Sequence, residues 1–348
     1  MLEAIDRDRY EVIPVGITRD GAFVLERDDP AAFRLDPDAL PEVRDDGSRV
    51  VWPDRAGGRE LTVRAADGAA RTLAFDVVFP ILHGLWGEDG TVQGMLELVD
   101  LPVVGSGVLA SALGMDKHFT KTVLKAAGLE VADWVSVSRS RWRREPEAVA
   151  DEVRALGLPA FVKPARAGSS VGVTRITGPE GLDDALETAF REDRTAIVEE
   201  AVAGREIEIA VLGGRDGAAP RASVAGEIVV ADGGFYDFES KYLGADGVEL
   251  ICPADLGDAR LAELQDLAAR AFTAIDAAGL ARVDVFLTDH GFVVNEVNTM
   301  PGFTPISMFP RCWAASGLDY PALIDELISS ALGSSSGSEP SGSESAPR

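Results

Sequence analysis

RVDVFLTDHGFVVNEVNTMPG, residues 282–302, reads as a β-hairpin built for a protein core, yet Arg282, Asp284, Glu296 and Asn298 interrupt its apolar runs near one end. Side chains two apart on a strand share a face, so Arg282 pairs in direction with Asp284, and Glu296 with Asn298. A three-residue turn, Asp289-His290-Gly291, would set Thr288 opposite Phe292, Asp284 opposite Glu296 and Arg282 opposite Asn298. Opposed carboxylates repel unless a cation lies between them. Oxygen ligands without His or Cys suit Mg2+, which takes one or two carboxylates and fills its remaining positions with phosphates. The plain alternative is a local salt bridge of Arg282 with Asp284 and Glu296.

A phosphate site elsewhere in the chain would favour the metal reading. The GxxxxGK[ST] loop is absent. FVKPARAGSSVGV (161–173) instead joins a strand ending at Lys163 to a small-residue loop, where Gly168, Ser169, Ser170 and Gly172 offer donors without bulk. Lys117 lies near a helix start. IVEEAV (197–202) places Glu199 and Glu200 at a strand end, where backbone groups could meet an adenine edge, and Glu206 follows where ribose hydroxyls could be held.

The whole chain has 348 residues, 46% hydrophobic and 26% charged, which allows two or three domains. A formal net charge of -25 disfavours nucleic acid and anionic membrane as partners. Asp, Arg and Glu crowd the first ten residues, unlike a signal peptide. Cys252 and Cys312 lack CxxC spacing and read as reduced thiols of a cytoplasmic protein.

Along the chain, residues 1–9 read as the last turns of a helix and 10–18 as a strand. FDVVFPIL (75–82) reads as a strand buried on both faces. Helices are expected at 91–100, from Ser111 to about Gly128, and near 145–156, 179–192 and 258–278, with an amphipathic helix at 319–332 to close. Strands are expected at PAFVKPA, TAIVEEAV, REIEIAVLGG and SVAGEIVV. The expected units are an α/β domain over 1–110, a central unit over 111–200, a third over 201–332 carrying the hairpin, and a Ser/Gly/Glu/Pro tail over 333–348 too polar to fold.

Taken in order, FPILHGLWGEDGTVQGMLE (79–97), SALGMDKHFTK (111–121), VKPARAGSSVGV, VEEAVAGREIEIAV (198–211), FYDFESKYL (235–243) and the hairpin through NTMPG resemble the D-alanine–D-alanine ligases of the ATP-grasp superfamily. The resemblance implies an α/β, three-domain architecture: an N-terminal parallel-sheet domain, incomplete here, and two α+β domains enclosing ATP. It implies that two D-alanines are joined through D-alanyl phosphate for peptidoglycan precursor synthesis. On the same ground Lys117, Lys163, Ser170, Glu199, Val202 and Glu206 would hold ATP. Asp284, Glu296 and Asn298 would bind two Mg2+, with Mn2+ possible. Arg282 would stabilise the oxyanion; Ser169, Lys241 and Tyr242 would close the site. Gly302 and Ser307 would hold the second D-alanine, with His83 beside the first. An intact Lys241-Tyr242 favours a dipeptide over D-alanyl-D-lactate, and the family implies a homodimer.

The family opens with a strand, a Glu-containing loop and a helix, whereas this sequence reads as starting inside that helix. The expectation is either a start downstream of the true one or a catalytically impaired, ATP-binding relic. A different class is suggested by Gly105, Gly107 and Ala110 in VVGSGVLASA, which fit the G-x-G-x-x-A turn of a dinucleotide-binding oxidoreductase.

Overall fold

The computed structural model describes residues 1–33, 42–168, 171–215, 217–230 and 248–334. Four sheets carry it. Near the N-terminus, β1 (Val15–Ile17) pairs with β2 (Phe23–Leu25), and β3 (Arg49–Val51), β4 (Glu60–Arg64) and β5 (Ala70–Ala74) form an antiparallel meander. Val50, Leu61 and Val63 form a small core there, with Trp52 set edge-on between Phe23 and Phe75. Helices α1 (Thr91–Leu98), α2 (Val108–Met115) and α3 (Lys117–Ala126) follow.

The middle of the chain forms an antiparallel sheet ordered β6-β9-β7-β8, from β6 (Trp134–Ser138), β7 (Ala160–Pro164), β8 (Thr174–Ile176) and β9 (Thr195–Glu200). Helices α4 (Arg139–Arg144), α5 (Pro146–Leu156) and α6 (Leu182–Glu192) accompany it. In α6, Leu182, Ala185, Leu186, Ala189 and Phe190 recur at helical spacing and are buried.

The largest sheet is ordered β12-β11-β10-β13-β14, all antiparallel: β10 (Arg205–Leu212), β11 (Arg221–Val230), β12 (Val248–Ile251), β13 (Leu280–Thr288) and β14 (Gly291–Asn298). One face carries Ile207, Ile209, Val211, Ala281, Val283 and Val285 against α7 (Asp258–Ala274) and Leu124 of α3. The other meets α8 (Met308–Ala315) and α9 (Tyr320–Ser334), with Ile5, Val104 and Phe303 in the same core.

Period-2 alternation decides what each face receives. On β13, Val283 and Val285 take the α7 face, which sends Arg282 and Asp284 to the other. On β14, Phe292 and Val294 take the α7 face. An uninterrupted strand would then drive Glu296 and Asn298 into that apolar layer too. It is interrupted: Val285 pairs with Val294 but Asp284 with Glu296, so Asn295 is one extra residue, a β-bulge. Beyond it Val297 regains the α7 face, and Glu296 and Asn298 join Arg282 and Asp284.

The hairpin therefore corrects the expected turn while keeping the expected site. Thr288 pairs with Gly291, not Phe292, which leaves two residues in the turn. Thr288 Oγ1 donates to the Gly291 carbonyl at 2.9 Å and accepts from His290 N at 3.1 Å. The shorter turn moves the pairing by one and the bulge moves it back. This arrangement wins because a three-residue turn without a bulge would set Asn295 opposite Val285, in the apolar layer.

Three other expectations need correcting. Residues 1–9 form turns, not a helix: Ala4 N and Ile5 N both donate to the Met1 carbonyl, and Asp6 Oδ1 takes Asp8 N at 2.9 Å, competing with helix propagation. FDVVFPIL is not a strand. It makes a single parallel bridge, Val78 to Val103, and Pro80 has no N–H to extend a ladder. The helix expected from Ser111 breaks at Asp116, which is extended (φ -96°, ψ 105°) and caps α3 by accepting from His118 N and Phe119 N. No helix among the described residues is long and apolar enough to cross a membrane.

Leu264, Ala268, Ala271 and Phe272 are the stripe by which α7 covers the sheet, and Leu264 is wholly buried. Leu264→Ala should lower the unfolding free energy by about 2–5 kcal/mol, seen as a lower urea midpoint at unchanged m-value.

Candidate active site

Buried charge gathers in two clusters, one on β10, β13 and β14 and one on β7, β9 and α3. In the first, Arg282 grips Asp284 through two hydrogen bonds, Nε to Oδ1 at 2.7 Å and NH2 to Oδ2 at 2.8 Å. Asn298 Nδ2 donates to Asp284 Oδ2 at 2.9 Å and lies 3.5 Å from Glu296 Oε1. The strand register brings these four residues together as the sequence predicts. It adds a fifth, Glu208, paired directly with Asp284 in β10 and β13, with Oε1 3.3 Å from Arg282 NH2. Glu208 was legible only in part: Ile207, Ile209 and Val211 take the α7 face and force it to the opposite one.

Crowding of acids here has an electrostatic signature. Burial, the largest effect, pushes the Asp284 carboxyl up, with Glu208 and Glu296 adding to it while Arg282 opposes. Arg282 is also buried, but the surrounding carboxylates outweigh that loss of solvent and hold its guanidinium charged. A site whose buried acceptors are carboxylate and carboxamide oxygens fits a hard divalent cation. Among the described residues no group of three or more His, Cys, Asp or Glu forms a complete metal cage. Asp284, Glu296 and the Asn298 carboxamide are a partial oxygen set, as expected where phosphates complete the shell.

The second cluster centres on Glu199 at the end of β9. Lys163 Nζ of β7 donates to its Oε2 at 2.6 Å, and Lys121 Nζ of α3 lies 3.5 Å from its Oε1. Burial, the largest effect, would raise the Glu199 carboxyl. Lys163 and Lys121 outweigh it and hold the group at about 2. Lys117, one turn before Lys121, donates Nζ to the Ala167 carbonyl at 2.6 Å, at the start of the Gly/Ser loop. Val202 lies in the 201–204 connection and Glu206 near the start of β10, so Glu199, Val202 and Glu206 string along one continuous segment.

Of the remaining predicted residues, His83, Gly302 and Ser307 are described. His83 keeps an exposed edge; partial loss of solvent lowers its imidazole, a backbone hydrogen bond with Met300 opposes this, and Arg282 adds repulsion. Ser307 is the N-cap position of α8. Its Oγ accepts from Thr304 N at 3.2 Å, and a Cβ on Gly302 would come within 3.1 Å of it. Ser169, Ser170, Lys241 and Tyr242 lie outside the described residues.

Besides Glu208, two residues were missed. Lys121 stands in SALGMDKHFTK, and its spacing of four from Lys117 put it on the same helix face. Glu88, in HGLWGEDG, accepts from Gly84 N. Burial pushes its carboxyl up to about 7, and Glu296 adds to the rise. His118 accepts from Trp134 Nε1 at 2.9 Å and is partly buried. The thiols of Cys252 and Cys312 lie 3.8 Å apart.

The glycine turn of the oxidoreductase reading has another occupation. A Cβ on Gly279 would meet Gly105 N at 2.8 Å, so the two backbones touch. Ser106 Oγ takes Ala278 N at 3.1 Å. The turn packs against the C-terminal sheet, where a pyrophosphate would need open space.

Comparison with known proteins agrees with the geometry. The family model for the D-ala D-ala ligase N-terminus matches residues 1–106, and that for the C-terminus matches 123–329. A D-alanine–D-alanine ligase of Pseudarthrobacter chlorophenolicus is 52% identical over 341 residues, covering 97% of this chain and 89% of the relative. One from Mycolicibacterium vanbaalenii is 51% identical over 344 residues, covering 97% and 92%. Among solved structures, the D-alanine–D-alanine ligase of Coxiella burnetii superposes with a TM-score of 0.79 at 35% identity, covering 96% of this chain and 88% of that one. A D-Ala:D-Ser ligase of Enterococcus faecalis also reaches 0.79, at 34% identity, with 94% and 92% covered.

The low Glu199 value carries a pH dependence of defined sign. Its folded value lies below its ordinary 4.5, so the stabilisation is complete above about pH 4.5 and is lost as pH falls toward about 2. Glu199→Gln should unfold more easily than wild type at pH 7. That gap should shrink by about 2 kcal/mol by pH 3, read from urea titrations at both values.

Proposed function

The chain belongs to the D-alanine–D-alanine ligase family, and from that premise we propose that it joins two D-alanines to D-alanyl-D-alanine with ATP, for peptidoglycan precursors. The observation that carries the reading is the opposition of Asp284 and Glu296 beside Arg282 and Asn298 on the face away from α7. That arrangement is costly for a fold alone and useful where polyphosphate is handled.

Lys117 and Lys163 hold the phosphates as point charges, Val202 meets the adenine through its backbone, and Glu199 and Glu206 fix the base and ribose. The first D-alanine, beside His83, attacks the γ-phosphorus through its carboxylate. ADP leaves and D-alanyl phosphate forms. The second D-alanine, its carboxylate held by Gly302 and Ser307 at the start of α8, attacks the acyl carbon through its amine. Arg282 faces the developing oxyanion, phosphate departs and the peptide bond is complete. Asp284, Glu296 and Asn298 would hold two Mg2+, or Mn2+, which would supply charge neutralisation at the transferring phosphate. An acyl phosphate must be kept from water, the role given to Ser169, Lys241 and Tyr242, with Ser170 on the phosphate loop. The domain boundaries proposed are 1–110, 111–200 and 201–332. A cytoplasmic homodimer completes the reading, with exposed Leu98 and Leu109 on α1 and α2 available to its contact.

Phosphate release from ATP should depend on D-alanine, with the dipeptide identified by mass spectrometry. Asp284→Asn and Glu296→Gln should each lower that rate at least about a hundredfold with the circular dichroism spectrum unchanged. A near-normal rate in either variant would show the metal assignment to be wrong.

A further inference from the structure

Lys121 has no role in the reading given so far, and its environment is unusual. Its side chain is 1% exposed, in a helix that otherwise turns buried Thr120 and Leu124 inward. Its Nζ makes no hydrogen bond of normal geometry among the described residues. An ammonium withdrawn from water is expensive unless a counter-charge is near. The counter-charge is Glu199, whose Oε1 lies 3.5 Å away and whose Oε2 is already taken by Lys163 at 2.6 Å. A methionine would fill the same volume without the desolvation cost, so the charge calls for an explanation beyond packing.

Charge counting supplies one. Lys163 and Glu199 alone form a neutral pair, and a neutral pair exerts little pull on a polyphosphate. With Lys121 added the triad carries one net positive charge, and Glu199 is shared between two cations. Lys163, 15% exposed, is the member that reaches toward solvent. Burial lowers the Lys121 ammonium and Lys163 adds to the fall, while Glu199 and Glu296 oppose it.

We propose that Lys121 is a positioning residue of the nucleotide site: its buried ammonium holds the Oε1 side of Glu199, so that Lys163 is fixed in direction and keeps an uncancelled positive charge for the ATP phosphates. The inference rests on the ATP-dependent reading above and adds a residue to it.

The test is calorimetric titration of the full chain with Mg·ATP, for wild type, Lys121→Met, Lys121→Gln, Glu199→Gln and the Lys121→Met/Glu199→Gln double variant, with melting curves for each. The expected result is ATP binding weakened on the order of tenfold in Lys121→Met and Lys121→Gln. The KM for ATP should rise while the KM for D-alanine moves little. The Lys121→Met effect should be much smaller in the Glu199→Gln background, because the residue acts through that carboxylate. Unchanged ATP affinity, or the same loss in both backgrounds, would overturn the proposal. So would failure of both single lysine variants to fold, which would make the residue structural. A wild-type chain that binds no nucleotide would overturn the underlying reading as well.

Discussion

Charge that leaves water must be met by opposite charge, and the interior of this protein is organised around that constraint. Arg282 stands between Asp284 and Glu208 on adjacent strands, and Glu199 stands between Lys163 and Lys121 from a strand and a helix. Neither group would survive on an apolar layer. Each exists because a sheet has two faces: α7 covers one face of the largest sheet with hydrocarbon, and α5 and α6 cover one face of the central sheet, which leaves the opposite faces able to carry polar side chains. The fields of the two clusters overlap, since Glu296 contributes at Lys121. Acids at one end and lysines at the other are what a nucleotide triphosphate with its metal would ask of a cleft.

Much of this was legible because it rests on alternation. REIEIAVL, TAIVEE and the hairpin carry their strands in plain period-2 or continuous apolar patterns, and the pairing of Asp284 with Glu296 follows from counting. What escaped was decided by a single backbone group or a distant contact. Asp116 ends one helix and caps the next, although the apolar pattern runs on through it. Pro80 denies FDVVFPIL a ladder that its composition invites. Glu208 and Lys121 look like surface charges until the strand register and the helix face are known, because composition does not say which charged residues the fold will bury. The sulfur contact of Cys252 with Cys312 spans sixty positions and has no local signal.

The glycine-rich turn shows the opposite error, a motif whose residues are explained by packing. Gly105 and Gly279 are both at positive φ, 113° and 65°, and their backbones approach too closely for a side chain on Gly279. Glycine spacing recorded a meeting of two main chains, and only the surroundings distinguish that from a phosphate cradle.

The bulge at Asn295 has a wider meaning. Turn length and strand irregularity enter the site only through their combined effect on which residues stand opposite one another. A tip one residue longer on a regular strand would present the same two acids, provided polar and apolar positions between 292 and 295 exchanged places. Two hairpins of visibly different outline can thus be equivalent at their functional end, and length variation at the tip would be chemically silent whenever a compensating irregularity came or went with it.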